Sequence, residues 1–285
     1  MKKKLSVNDL YAKKKNGEKV AWLTAYDFPT AQFAEKAGLD MLLVGDSLGM
    51  CVYGYNGTVP VTMDQCICHC EAVRRGAPHT FVIGDMPFGS YQISDELAVE
   101  NASVFLKKAD MDAIKLEGGR RVVSRIRAIV DAGIVVCGHI GLTPQSSGQL
   151  GGHKAQGRTA EAAREVVEDA KAVRDAGASL LLVEAVPPEV TRYIASSLDI
   201  PVYSIGAGPY CDGQLLIVSD LIGQFQAFTP KFVKQYCNVA ETITQAMREY
   251  CDDVRQIAFP DDQRYCYAMI AGEEEKFLQM MKKEE

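Results

Sequence analysis

From Val20 onward the chain repeats one pattern: a short apolar run, a polar turn, then a longer stretch with apolar residues three and four apart. Short apolar runs predict buried strands, and the three-four spacing predicts helices packed through one face. Strands are expected at Val20–Tyr26, Met41–Gly45, Thr80–Gly84, Ala113–Glu117, Val135–Ile140, Leu180–Glu184 and Val202–Ile205, with an eighth at Leu215–Val218. Helices are expected between them at Thr30–Ala37, Met63–Arg75, Asp95–Lys108, Val122–Asp131, Ala160–Ala176 and Glu189–Ser197. Thr62 and Gln65 have the spacing of a capping box at the head of the second of these. Strands alternating with amphipathic helices are βαβ units of a parallel sheet. No Pro/Gly/Ser linker or composition break divides the chain, so the α/β class resolves to a single (β/α)8 TIM barrel rather than a doubly wound sheet. The barrel domain, including an N-terminal helix, is expected over residues 1–263, followed by a charged tail over 264–285.

Composition narrows the functional classes. Hydrophobic residues make up 47% of the 285, enough for a sizeable core. A net charge of −6 argues against a nucleic-acid partner. No stretch approaches the roughly 18 uninterrupted apolar residues of a membrane span. The start, MKKKLSVNDLYAKKKNG, has basic residues with no apolar region behind them, unlike a signal peptide. Nine cysteines without framework spacing fit a reducing cytoplasm.

One internal similarity changes the picture. The segments AGLDMLLVGD (Ala37–Asp46), ADMDAIKLE (Ala109–Glu117) and AGASLLLVE (Ala176–Glu184) each pass from a helix end through a polar residue into a strand that finishes on an acid. A fourth strand, FVIGD, finishes on Asp85. Carboxylates at strand C-termini do nothing for apolar barrel layers, but that face is where barrel chemistry sits. Asp46, Asp85, Glu117 and Glu184 therefore converge on one mouth, with Lys115 and His139 beside them. Lys115 and Glu117, two apart in one strand, share a side, and Ile114 and Leu116 face the helices. Buried charges of this kind need partners or a ligand. A structural ion-pair network closing the barrel end is the other reading of the same residues. An oxygen-rich cluster suits magnesium, whereas zinc prefers His and Cys ligands.

Three further features carry less. In CICHC (Cys66–Cys70), helical geometry puts Cys66 and Cys70 on one face and Cys68 on another, which favours packing cysteines over a metal motif. IGAG (Ile205–Gly208) reads as a tight turn before it reads as a phosphate cradle. The glycine-rich connection Gly141–Thr159 has the length of a lid or of a surface excursion.

The motifs TAYD (Thr24–Asp27), LLVGDSLGM (Leu42–Met50), VPVTMDQ (Val59–Gln65), AVRRGAP (Ala72–Pro78), KLEGG (Lys115–Gly119), CGHIGLTPQS (Cys137–Ser146), GGHKAQGRT (Gly151–Thr159), IGAGPYCDGQ (Ile205–Gln214) and PKFVKQY (Pro230–Tyr236) span nearly the whole chain. In this order they resemble the ketopantoate hydroxymethyltransferase family. The resemblance implies transfer of a hydroxymethyl group from 5,10-methylenetetrahydrofolate to 3-methyl-2-oxobutanoate through a magnesium-stabilised enolate, a step of pantothenate biosynthesis. It implies that Asp46 and Asp85 bind Mg2+, with Glu117 joining directly or through water. Ser47 and Lys115, with Asp46 and Asp85, would hold the oxo acid; His139 would hydrogen-bond in the pocket, and Glu184 would be the proton acceptor. It also implies a cytoplasmic homo-oligomer, a decamer, whose partners are small-molecule substrates and neither nucleic acid nor membrane. The chain departs from the family pattern at Ser204, at Tyr55-Asn56-Gly57 and at Arg264, which bear on folate contacts and the tail rather than on the metal or base.

Three rivals share these features. A phosphoenolpyruvate-mutase or isocitrate-lyase relative would keep the barrel and the metal-bound oxo acid, but usually carries an Asp-rich loop and a KKCGH-like block that are missing here. A metal-free aldolase would use Lys115 as a Schiff-base nucleophile. A non-catalytic module would bind the oxo acid without turnover.

Overall fold

Eight parallel strands close into a barrel in chain order: β1 (Val20–Thr24), β2 (Met41–Val44), β3 (Phe81–Asp85), β4 (Ala113–Glu117), β5 (Val136–Gly141), β6 (Leu180–Glu184), β7 (Val202–Ile205) and β8 (Gly213–Leu216), with β8 pairing back to β1. The structure is a computed structural model that describes residues 3–283. Helices α1 (Val7–Asn16), α2 (Phe28–Lys36), α3 (Leu48–Cys51), α4 (Met63–Gly76), α5 (Asp95–Ala109), α6 (Val123–Asp131), α7 (Ala160–Asp175), α8 (Pro188–Ser197) and α9 (Val218–Leu221) accompany them. This is the (β/α)8 barrel that the alternating pattern predicts. The capping box at Thr62 forms as expected, with Gln65 N donating to Thr62 Oγ1 and Thr62 N to Gln65 Oε1.

Alternate residues of each strand sort into two apolar clusters. Leu42, Val82, Ile114, Val136, Leu181 and Val202 face outward to the helices. Trp22, Met41, Leu43, Phe81, Ile83, Ala113, Cys137, Leu182 and Tyr203 fill the barrel, with Leu10 of α1 in the same cluster. Followed along a strand, each inward column changes character near the C-terminal end. It runs Phe81, Ile83, Asp85 on β3; Ala113, Lys115, Glu117 on β4; and Leu180, Leu182, Glu184 on β6. The apolar layers therefore end where the charges begin.

The polar residue before several strands has a physical role at the opposite end. Asp112 N donates to Val82 O and its side chain accepts from Val82 N at 2.8 Å, so it joins β4 to β3. Asp40 does the same to Ala21 of β1, and Asp212 to Val202 of β7. Each carboxylate takes a strand N–H that the ladder leaves free and pins the register at its first residue. Arg74 of α4 braces Asp112 at 2.6 Å, tying the helix layer to this entrance. In the repeated segments the helix ends in a left-handed residue, Gly38 (φ 84), Asp110 (φ 52) or Gly177 (φ 99), which turns the chain back toward the barrel.

One expectation needs correction. The eighth strand is Gly213–Leu216 rather than Leu215–Val218, because Val218 N is taken by the Thr24 hydroxyl and α9 begins there. Residue contacts also divide the chain into two units, Met1–Tyr236 and Cys237–Glu285. The second contains α10 (Val239–Arg255), capped by Asn238, and α11 (Glu273–Met281), the latter within the segment expected as a charged tail. Ile243, Met247, Tyr250 and Val254 give α10 its helical period, with polar and charged residues between them as in any amphipathic helix. Among the described residues no helix is long and apolar enough to cross a membrane.

Gly84 shows how closely β3 meets the helix layer. A Cβ there would stand 2.4 Å from Phe105 Cδ1 of α5. Gly84→Ala is expected to cost about 1–3 kcal/mol by overpacking. In a double-mutant cycle with Phe105→Leu, read from urea unfolding, the alanine penalty should shrink. An equal penalty in both backgrounds would mean that Phe105 is not the constraint.

Candidate active site

The six charged residues at the strand ends form one continuous array. Strand pairing sets Asp85 beside Lys115, and Glu117 beside His139. Lys115 Nζ lies 3.0 Å from Asp85 Oδ1 and 3.3 Å from Glu117 Oε1. His139 continues the line, with Nδ1 3.3 Å from Glu117 and Nε2 3.2 Å from Glu184 Oε2. Asp46 closes the other end, its backbone N–H donating to Asp85 Oδ2 at 2.9 Å. Ser47 follows, its hydroxyl 2.8 Å from the Tyr26 hydroxyl. Gly45 keeps this corner open, since a Cβ there would sit 2.8 Å from Ser47 Oγ.

Burial makes the array electrically sensitive. Asp46, Asp85, Lys115, Glu117 and His139 are each no more than 4% exposed. Burial, then repulsion from Asp85, pushes the Asp46 carboxyl well above the usual range. Burial also raises Asp85, although Lys115 pulls against it. Desolvation works against the Lys115 charge, yet Asp85, Glu117 and Asp46 together hold its ammonium form well above the ordinary range. Glu117 would likewise be raised by burial, but Lys115 and His139 overcome that and bring it to about 2. For His139, burial and Lys115 oppose protonation, while Glu117 and Glu184 prevail and lift it to about 9.

The donor set suits a hard cation. Every candidate ligand at Asp46, Asp85 and Glu117 is a carboxylate oxygen. Four carboxyl groups, counting Glu184, surround two basic groups, Lys115 and His139, so acids outnumber bases in the array. Asp85 Oδ1 is buried and has no aligned hydrogen bond, only its ion contact with Lys115. As the side chains stand, the Lys115 ammonium lies among the acids, and no three His, Cys, Asp or Glu among the described residues are gathered around one point. The remaining motifs supply no member of this array, although Cys66 and Cys70 lie close enough to feel the Asp85 charge. Cys66 and Cys70 are buried and Cys68 is exposed, as packing cysteines would be. IGAG makes a tight turn with Gly206 at φ 65, where Ser204 Oγ accepts from Ala207 N.

Two further residues at the site escaped the sequence reading. Gln145, at the start of the connection after β5, donates from its side chain to Asp46 Oδ2 at 2.9 Å and from its backbone to Glu117 Oε2 at 3.0 Å. Tyr91 accepts from Glu117 N at 3.0 Å and donates to Gln145 Oε1 at 2.6 Å. Gln145 lies in the CGHIGLTPQS motif, so a signal was present; Tyr91 sits in a loop with no pattern to mark it.

The sequence matches the family model for ketopantoate hydroxymethyltransferase over residues 4–262. It is 66% identical to the 3-methyl-2-oxobutanoate hydroxymethyltransferase of Alkaliphilus metalliredigens (strain QYMF), covering 99% of this chain and 100% of that one. It is 49% identical to the same enzyme of Heliobacterium modesticaldum (strain ATCC 51547 / Ice1), covering 91% and 94%. Among solved structures, the fold is similar to 2,3-dimethylmalate lyase of the PEP mutase/isocitrate lyase superfamily, with TM-score 0.58, 18% identity, and 92% and 91% of the two chains covered. It is also similar to phosphonopyruvate hydrolase complexed with oxalate and Mg++, with TM-score 0.57, 15% identity, and 98% and 96% covered.

The array makes a measurable statement about His139. In the metal-free protein its ring should be protonated at pH 7.5 and titrate near 9, and Glu117→Gln should lower that value. Because the folded value lies above the ordinary 6.5, this pairing adds stability that is complete below about pH 6.5 and is lost as pH rises through about 9. Ring-nitrogen NMR, assigned with His139→Asn, reads it directly; a neutral ring at pH 7.5 would contradict the geometry.

Proposed function

This chain belongs to the ketopantoate hydroxymethyltransferase family, and from that membership we propose that it transfers a hydroxymethyl group from 5,10-methylenetetrahydrofolate to 3-methyl-2-oxobutanoate, giving 2-dehydropantoate for pantothenate biosynthesis. The observation that carries the reading is the unbroken array from Asp46 to Glu184, with an acid at each end of a cationic centre.

Asp46 and Asp85, with Glu117 directly or through water, would hold a magnesium ion, whose chemistry is Lewis-acid polarisation of the 2-oxo group. Lys115 would neutralise the substrate carboxylate, and its tightly held charge suits that role. The same charge argues against a Schiff-base reading, because an amine nucleophile must first be neutral. Ser47 would hydrogen-bond the oxo acid. Glu184 would take the proton from C3, with His139 holding its carboxylate toward the mouth. The connection after β5, which already sets Gln145 against Asp46, would keep water from the carbanionic carbon while the one-carbon unit arrives.

Two variants test the division of labour. Glu184→Gln should still bind magnesium and oxo acid, while kcat falls by about 10²–10⁴-fold for loss of a general base. Exchange of the C3 hydrogen in heavy water, with magnesium and without folate, should fall in parallel. Wild-type exchange in the variant would assign the proton transfer to another residue. Asp85→Asn should lose most activity at low magnesium and regain part of it at high magnesium, because a ligand charge is lost while an oxygen remains. Equal activity at every magnesium concentration would remove Asp85 from the ligand set.

A further inference from the structure

A cavity of about 400 Å³ opens beside the array, between the loops that follow β3, β4 and β5. Its lining is graded. Glu117 and Gln145, both buried members of the array's network, line it, and so do the exposed Phe88, Arg121 and Gln149 with the half-buried Arg125. The volume lies in the range of pockets for extended ligands and is larger than a small branched oxo acid needs.

Arg121 is distinctive among the arginines here. Arg120 pairs with Glu165 and Asp169, and Arg125 with Asp95 at 2.5 Å. The Arg121 guanidinium instead donates to neutral acceptors, Gln149 Oε1 and Ser146 Oγ, the latter at 3.0 Å, and among the described residues it meets no carboxylate. A guanidinium fork on a cavity wall, bonded only to groups that a stronger acceptor can displace, is matched to a carboxylate ligand. Phe88, 46% exposed at the same opening, offers a ring face beside it.

We propose that this cavity is the subsite for the folate co-substrate, with Arg121 taking a carboxylate of the glutamyl tail and Phe88 packing on the aminobenzoyl ring. The assignment rests on the reaction proposed above, which requires a second ligand against the oxo acid. The wall shared through Glu117 and Gln145 provides that adjacency. The ligand's character fits the lining, an aminobenzoyl ring leading to a dianionic tail against an aromatic, two guanidiniums and side-chain amides.

The same contacts would also let Arg121 serve only as a latch for the Ser146–Gln149 segment, so the test separates the two roles. Steady-state rates are measured for wild type and Arg121→Gln with 5,10-methylenetetrahydrofolate and with its tail diamide, in which both glutamyl carboxylates are carboxamides. C3 hydrogen exchange without folate is measured alongside. The variant is expected to raise KM for methylenetetrahydrofolate by about 10–100-fold, the worth of a charge-assisted contact, with no further effect on the diamide analogue. Arg121→Lys should recover part of the loss. Equal losses with both co-substrates, or slowed exchange, would make Arg121 a loop latch and overturn the assignment. An unchanged KM would place the tail elsewhere. A wild-type enzyme that exchanges the C3 hydrogen yet turns over neither co-substrate would instead sink the parent reaction.

Discussion

The structure depends on keeping one ammonium group charged inside a barrel. Lys115 is 3% exposed, in the layer directly above Ala113, where the apolar filling stops. Removing an ion from water costs several kcal/mol, even after relaxation, unless close partners replace the solvent. Asp85 and Glu117 replace it within 3.3 Å. The dependence is mutual, because neither carboxylate is tolerable at that depth without the lysine. Tyr91 and Gln145 then satisfy the backbone N–H and the second carboxylate oxygen of Glu117, so the buried network is hydrogen-bonded outward as well as paired inward.

Those partners meet only in one register. Asp85 and Lys115 are opposite each other across β3 and β4, as are Glu117 and His139 across β4 and β5. A one-residue slip in any of these strands would turn a charge into the helix layer and a glycine or an apolar residue into the mouth. The register is fastened at the far end, where Asp112 takes both a backbone bond and a side-chain bond to Val82. Asp40 and Asp212 fasten two other strand pairs in the same manner. The acids at the strand entrances and the acids at the exits thus serve different ends of one constraint.

That division explains what the sequence could disclose. Apolar runs made seven strands legible, and the acids finishing β3, β4 and β6 identified the mouth because nothing in barrel packing asks for them. The eighth strand was displaced because its apolar run continues through Ile217 and Val218, which the Thr24 hydroxyl draws out of the sheet. Tyr91 was invisible because its role arises from a long-range contact, its hydroxyl reaching Glu117 across 26 positions. Gln145 stood in a recognisable motif, but its contact with Asp46 spans 99 positions and no periodicity encodes it. Short-range physics writes itself into pattern; contacts made by loops over the mouth do not.

The balance of charge argues that the array is built for a ligand rather than for stability. A structural network gathers opposite charges until they cancel, because each unpaired buried ion costs more than the pair returns. Here four carboxylates share two basic groups, and Asp46, whose carboxyl burial and repulsion from Asp85 push up, makes no ion pair among the described residues. Glu117, at the other side of the lysine, is held down at about 2 by the cations it does have. Within one cluster, then, the site is satisfied around Lys115 and His139 and strained where Asp46 approaches Asp85. The proposed magnesium ion would act on that end of the array, where Asp46 meets Asp85.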